Sequence, residues 1–446
     1  MKPSRLVHSV LSVCVLCLLA VLAALADDWP QWGGANRNFM TNSKGLASSW
    51  PSGGPKLLWV RTLGEGYSGV AVEDGRLFTM YRESSKMWQP GRAAQEVVIA
   101  MDASAGKTIW EYRYDAPELP KMNLEYGPGP HATPLVVNGR VFAAGAMGKF
   151  SALDKNTGKL VWSHDFYQEF GVVWGRGYSC SPIAYKNTVI VTLGQAGRSV
   201  MALDQSDGKI VWQKQEFDYG PSSPILITLE DEGAGAGKSP AKSAGKAESR
   251  NPAKQEQLVV FMANEIAGLD PGSGELLWSH PHKTDWGLNI STPVWSEGNL
   301  LFCSSAYSGG SRMLRLALKD GKTSVEQLWF TSRMRIHIGN AIRVGDFIHG
   351  SSGDFGPAFF AAIDVKTGQV AWQDRSFAKA SSVYADGKLV ILDEDGNLAL
   401  AGVSPQGLNV LSRASLDTGR AWTPPTLVGT HLYIRDRKNL RALDLS

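Results

Sequence analysis

The stretch Leu153-Asp154-Lys155-Asn156-Thr157-Gly158-Lys159-Leu160-Val161-Trp162 decides the fold, because the same phrase returns along the chain. It recurs from Ala100-Met101-Asp102 to Trp110, from Ala202-Leu203-Asp204 to Trp212, from Gly268-Leu269-Asp270 to Trp278 and from Ala362-Ile363-Asp364 to Trp372. Two copies are worn. Leu316-Ala317-Leu318 reaches Trp329 through a longer turn, and Ala399-Leu400-Ala401 leads to Ser412 with no tryptophan. Each phrase reads as a β-hairpin. Gly158 can take the left-handed conformation that closes a short loop, and the Asp154 carboxylate can accept backbone N–H bonds of that turn. The alternating apolar residues after it start a strand. Trp162 then offers a large flat surface suited to the wedge between neighbouring sheets. Counted singly these aspartates and tryptophans look catalytic; their periodic recurrence makes them structural.

Before each phrase stands a second unit: Thr/Ser-Pro, alternating apolar residues, a Gly or Asn turn, then another strand. Thr133-Pro134-Leu135-Val136-Val137-Asn138-Gly139-Arg140-Val141-Phe142 is one copy, and Thr292-Pro293-Val294-Trp295 with Leu301-Phe302 is another. Two hairpins make four antiparallel strands, which is one propeller blade. Units begin near residues 68, 132, 181, 222, 291, 340, 381 and 423, so the repeat predicts eight blades. The chain stops at Ala442-Leu443-Asp444-Leu445-Ser446, where a turn and a Trp strand should follow, and the missing strand stands at the other end as Gly54-Pro55-Lys56-Leu57-Leu58-Trp59. Pairing Leu57 to Trp59 with residues 440–445 would close the ring and leave no open sheet edge. The expected fold class is therefore all-β, an eight-bladed β-propeller of four-stranded antiparallel blades over residues 27–446, closed by an N-terminal strand. Residues 231–256, rich in Gly, Ala, Ser, Lys and Pro, lack the apolar side chains that offset ordering. They are read as a disordered insertion in one blade, which Leu258-Val259-Val260-Phe261 resumes.

The 446 residues carry a formal charge of only +3, part of it from Lys2 and Arg5, which argues against a general nucleic-acid surface. Lys2, Arg5, the apolar run 10–25 and Ala24-Leu25-Ala26 have the three-part form of a signal peptide over residues 1–26. The apolar run is short for a membrane-spanning helix. The expectation is an extracytoplasmic protein, periplasmic or secreted, monomeric, with no membrane span after cleavage. Cys14 and Cys17 leave with the signal. Cys180 and Cys303 are isolated, so neither a disulfide framework nor a CxxC metal knuckle is expected.

These phrases resemble the repeat and tryptophan-docking motif of the PQQ-like (pyrroloquinoline-quinone repeat) β-propeller family over nearly the whole of residues 27–446. Asp28-Trp29-Pro30-Gln31-Trp32-Gly33-Gly34 is similar to the opening signature of its secreted bacterial members, as is Trp422-Thr423-Pro424-Pro425 with Leu432-Tyr433-Ile434-Arg435. The resemblance implies two kinds of activity. Quinoprotein dehydrogenases hold PQQ and calcium at the axis and oxidise alcohols, including polyvinyl alcohol. BamB-like members bind other proteins and carry no cofactor. Many of the dehydrogenases clamp the quinone with adjacent cysteines, and this chain has no such pair; the family's Glu, Asn and Asp calcium set also finds no matching positions. The expectation is a ligand- or protein-binding module without bound quinone, with a PQQ- and calcium-dependent alcohol dehydrogenase as the alternative.

Loops entering the innermost strands of a propeller converge on its central channel. Here they carry Glu125, Tyr126 and His131; Trp174, Arg176 and Tyr178; Asp218 and Tyr219; Asp285, Trp286 and Asn289; Arg335, His337 and Asn340; Lys379; and Arg420 with Trp422. Such a set suits an axial funnel for a protein, a glycan or a small anionic ligand, with arginines as fixed donors. Mutual satisfaction at the channel mouth is the competing reading. No catalytic residue or metal ligand is assigned. The signal geometry makes one prediction: terminal sequencing of the protein from its own host finds Asp27 first, and a retained Met1 would contradict it.

Overall fold

A computed structural model describes residues 28–83, 94–231 and 254–446. The signal-like residues 1–26 and most of the low-complexity insertion lie outside the described residues. Eight four-stranded antiparallel sheets form the ring, and among the described residues one five-residue helix, Phe166–Phe170, lies between the second and third. Blades 1 to 7 occupy residues 71–115, 135–165, 183–214, 225–281, 294–331, 336–374 and 380–415. Blade 8 joins residues 426–444 to the N-terminal strand Lys56–Thr62. Leu57 lies opposite Leu443 and Trp59 opposite Ala442, so the ring closes at the expected seam.

Each element of the repeated phrase has a mechanical duty. Asp154 accepts bonds from the backbone N–H of Asn156 (3.1 Å) and Thr157 (2.9 Å) and from the Thr157 hydroxyl (2.8 Å), which freezes the turn. One residue before each tryptophan bulges out of register, Val161 in blade 2 and Val211 in blade 3, and this turns the indole toward the next blade. The small residue that opens the phrase lies directly opposite the tryptophan: Ala152 faces Trp162, and Ala202 faces Trp212. The indole then lies on the glycine of the following blade's turn. Trp110 covers Gly158, and Trp162 covers Gly208. Its N–H donates to the carbonyl just after that blade's aspartate, from Trp110 to Lys155 at 2.9 Å and from Trp59 to Ala103 at 3.1 Å. Gly158 has φ +68°, and a Cβ there would sit 2.5 Å from the Trp110 ring. Glycine is therefore required twice over.

The worn copies are repaired locally. Blade 5 lacks the turn that Trp278 needs, and Trp278 donates instead to the Gln257 side chain at 2.7 Å. Where blade 7 has Ser412 for tryptophan, the N-terminal segment lays Trp50 into the same core, and the Trp50 backbone N–H donates to the Ser412 hydroxyl at 2.7 Å.

The ends of the insertion depart from the sequence reading. Lys254, Gln255 and Glu256 pair with Glu230, Leu229 and Thr228, and Asp231 bridges to Leu318 of the next blade. Its carboxylate accepts from the N–H of Asp320 and Gly321, both at 3.2 Å. Polar composition hid this, because Leu229 alone supplies buried apolar area at the end of that strand.

Residues 28–50 were given no place by the sequence beyond their signature. They circle the axis on the side of the Asp74-Gly75 and Asp386-Gly387 turns. Trp29 pairs with Val72 of blade 1, and Pro30 accepts from Val136 of blade 2. Arg37 bonds the Ser181 and Pro182 carbonyls at blade 3, and Trp32 donates to Thr292 at blade 5. Thr41 bonds Tyr384 of blade 7, and Ala47 bonds Leu445 beyond blade 8. One chain segment thus links six blades and covers one end of the channel.

Two predictions follow from the packing between blades. Gly158→Ala should cost about 2–4 kcal/mol in urea unfolding, from left-handed strain plus overpacking. Its cycle with Trp110→Ala should be strongly non-additive, because both changes remove one contact; additive losses would contradict the docking. Buried His282 and His349 also set an acid limit. Burial pushes His282 down to about 3, helped by Arg312 and His280, and pushes His349 to about 4, both from 6.5. The unfolded chain then takes up protons first as pH falls, so stability is full above about pH 6.5 and declines toward pH 4, by roughly 1.4 kcal/mol per pH unit for each histidine. His349→Gln should make that decline shallower, and an unchanged slope would count against the assignment.

Candidate functional site

Loops that enter the first strand of each blade open on the face opposite the N-terminal segment. So do the loops between second and third strands, and the two sets together build a funnel on the axis. One wall is aromatic. The Trp422 ring lies 5.2 Å from Tyr67 and 5.8 Å from Tyr126, and the Arg176 guanidinium sits 4.7 Å over the Tyr126 ring. Arg420 lies over Trp422 and pairs with Glu394 at 2.9 Å, while the Trp422 indole N–H donates to the same carboxylate at 2.7 Å.

The facing wall is organised by Asp354. Its carboxylate accepts from the N–H of Phe355 (2.9 Å) and Tyr307 (3.2 Å) and pairs with Arg335 at 3.3 Å. Burial pushes this carboxyl up, but those donors outweigh burial and hold it below the usual range. The Tyr307 hydroxyl, pushed up chiefly by burial, meets His337 Nε2 at 2.6 Å. Burial, with Lys379 next, pushes His337 down to about 4, so the imidazole is neutral near pH 7. The Tyr307 hydroxyl then donates a hydrogen bond to Nε2, and the imidazole's own proton sits on Nδ1, which has no partner. His131, stacked near Tyr67 at 6.2 Å, is likewise pushed down to about 4 by burial.

The two walls face one another closely enough that Arg176 acts electrostatically on both Tyr307 and His337, and Lys379 acts on His337. Among the described residues, neither Arg176 nor Lys379 has a carboxylate within ion-pair distance, unlike Arg335 and Arg420. The rim carries large exposed aromatics. Trp286 is 65% exposed and Phe355 is 74% exposed. Phe355 lies 5.3 Å from Tyr307, whose carbonyl accepts from the N–H of Asp285, the neighbour of Trp286.

Of the residues singled out from sequence, Glu125, His131, Arg176, Arg335, His337, Arg420 and Trp422 gather here, with Trp286 on the rim. Trp174 and Asn289 do not. Trp174 is buried against Tyr178 and donates to the Leu193 carbonyl at 3.0 Å. Asn289 is buried and donates to the Met262 carbonyl at 2.6 Å while accepting from Ser305 at 2.5 Å. Both tie loops down. Tyr67, Tyr307, Asp354, Phe355 and Glu394 were missed. Four of them lie on loops between second and third strands, which open on the same face; the blade count alone would have pointed to those loops. Cys180 and Cys303 are buried free thiols in different blades. Among the described residues, no three His, Cys, Asp or Glu side chains come together as a metal site.

A family model described as outer membrane protein assembly factor BamB matches residues 51–215 and 94–374. Over 146 residues the chain is 31% identical to outer membrane protein assembly factor BamB of Moranella endobia, covering 31% of this chain and 33% of that protein. Over 208 residues it is 27% identical to quinoprotein alcohol dehydrogenase PedH of Pseudomonas putida, covering 46% of this chain and 29% of that one. The matched stretches thus span a third or less of these relatives. The solved quinohemoprotein alcohol dehydrogenase of Comamonas testosteroni superposes with a TM-score of 0.59 at 13% identity, over 96% of this chain and 82% of that one. At that identity the likeness concerns the fold. With the repeat, the ring closure and a family match across most of the chain in agreement, this protein belongs to the PQQ-repeat propeller family described as outer membrane protein assembly factor BamB.

Proposed function

We propose that this protein works outside the cytoplasm as a binding module whose funnel holds an acidic segment of another protein, without a bound quinone. The observation that carries this reading is the pair of cations, Arg176 and Lys379, that face Tyr307 and His337 without carboxylate partners of their own. A carboxylate entering there makes charge-assisted hydrogen bonds in a partly desolvated setting, where they are stronger than in water. Tyr126, Trp286 and Phe355 add exposed aromatic anchors, the residue class that dominates protein interfaces. The name of the Moranella relative, an assembly factor of the outer membrane, agrees with a protein partner and an extracytoplasmic site.

The second reading is a quinoprotein dehydrogenase, favoured by the match to PedH. Calcium takes about six to eight oxygen donors. The funnel's donors suit that poorly. Asn289 and Asn340 are spent on backbone, the latter bonding both the carbonyl and the N–H of Ser382. Glu394 and Asp354 are spent on Arg420 and Arg335. The residues present do not fit the quinone–calcium group, and no catalytic step is derived through it.

A fluorescently labelled peptide of alternating aspartate and phenylalanine residues tests the choice by anisotropy. Binding should weaken with salt. Arg176→Ala combined with Lys379→Ala should raise Kd by at least about tenfold, or about 1.4 kcal/mol, with unchanged melting. A lysine-for-aspartate peptide should not bind. Equal affinity in the double variant would overturn the reading, as would dye-linked alcohol oxidation after reconstitution with PQQ and calcium.

A further inference from the structure

At the opposite end of the axis the N-terminal segment leaves a cavity of about 510 Å³ between itself and the first strands of blades 2 to 5. One wall is polar, formed by Gln31, Asn36, Arg37 and Asn38. The other is mainly apolar, with half-buried Leu226 and Trp295 facing the space. The size falls within the range of about 300–1,000 Å³ usual for small-molecule sites.

Arg37 is the unusual member. It is 4% exposed, and its guanidinium donates only to neutral acceptors: Gln31 Oε1 at 3.1 Å and the carbonyls of Pro182 at 2.9 Å and Ser181 at 3.1 Å. Its Nε has no partner, and among the described residues no carboxylate lies within ion-pair distance. Burial without counter-charge pushes the guanidinium down to about 9. The residue also sits at φ +52°, and Phe39 at +59°, a region that costs an ordinary side chain roughly 1–2 kcal/mol. A buried, strained and uncompensated cation on the wall of a cavity is stabilised by an anion placed in that cavity.

We propose that this cavity is a second binding site, independent of the funnel, that takes an amphipathic organic carboxylate. The carboxylate lies on the Arg37 side and the apolar body lies against Leu226 and Trp295.

Octanoate and 4-phenylbutyrate, each paired with its uncharged amide, test this on the full chain by thermal melting and calorimetry. A carboxylate should raise the melting temperature in proportion to the logarithm of its concentration, because it binds the folded state alone, and its amide should not. Thr228→Trp fills the cavity from an exposed wall position. It should abolish the rise while leaving ligand-free melting unchanged. Arg37→Lys should weaken binding at least about tenfold. The acidic peptide of the funnel assay should not compete, so failure of either site can be told from failure of the other. The proposal is overturned if neither carboxylate binds, if an amide binds as well as its acid, or if Thr228→Trp binds either acid as tightly as the parent.

Discussion

The structure depends on one contact repeated around a ring: an indole from the outer strand of one blade laid flat on the turn glycine of the next. Among the described residues no helix covers these sheets, so each blade buries its apolar faces against its neighbours. Stability has to come from blade against blade. The Asp carboxylate fixes the turn, the glycine supplies both the left-handed backbone and the space, and the bulge before the tryptophan aims the ring. Removing any one of the three makes the others useless at that interface. The repairs at Gln257 and Trp50 show the same constraint, since each worn interface is mended by another side chain.

Closing the ring produces two axial ends with different chemistry. On one face the loops entering the first strands and the described loops between second and third strands converge and need not form strands, so polar and aromatic side chains accumulate there without disturbing the ladders. Arg335 and Arg420 are neutralised by carboxylates, whereas Arg176 and Lys379 have no carboxylate within ion-pair distance among the described residues. On the other face the N-terminal segment spans the channel and leaves the cavity beside Arg37.

Much of the fold was legible because repetition multiplies a weak local signal. The blade number, the seam at Leu57 to Trp59 and the structural duty of each Asp and Trp could all be read from spacing. Residues 28–50 could not, because they occur once and form almost no strand; their bonds run to six blades far away in sequence. The site was half legible. Polar loop residues suggested a funnel, but composition cannot separate Arg176, which faces the axis, from Trp174 and Asn289, which are spent on buried carbonyls. Tyr307, Asp354 and Phe355 escaped because their two loops sit mid-blade, where the sequence reads only as Ala-Tyr-Ser-Gly in blade 5 and Gly-Asp-Phe-Gly in blade 6 between strands.

A funnel that holds an acidic protein segment, as proposed, places the partner on this face and not on the outer wall. Site-specific photocrosslinking in the native host tests it most directly, with the photoreactive group placed at Trp286 on the rim and, separately, at Leu160 on the outer wall. A discrete protein adduct is expected from position 286 that disappears when Arg176 and Lys379 are both alanine, and none from position 160. The same adducts from both positions, or none from 286, would contradict it.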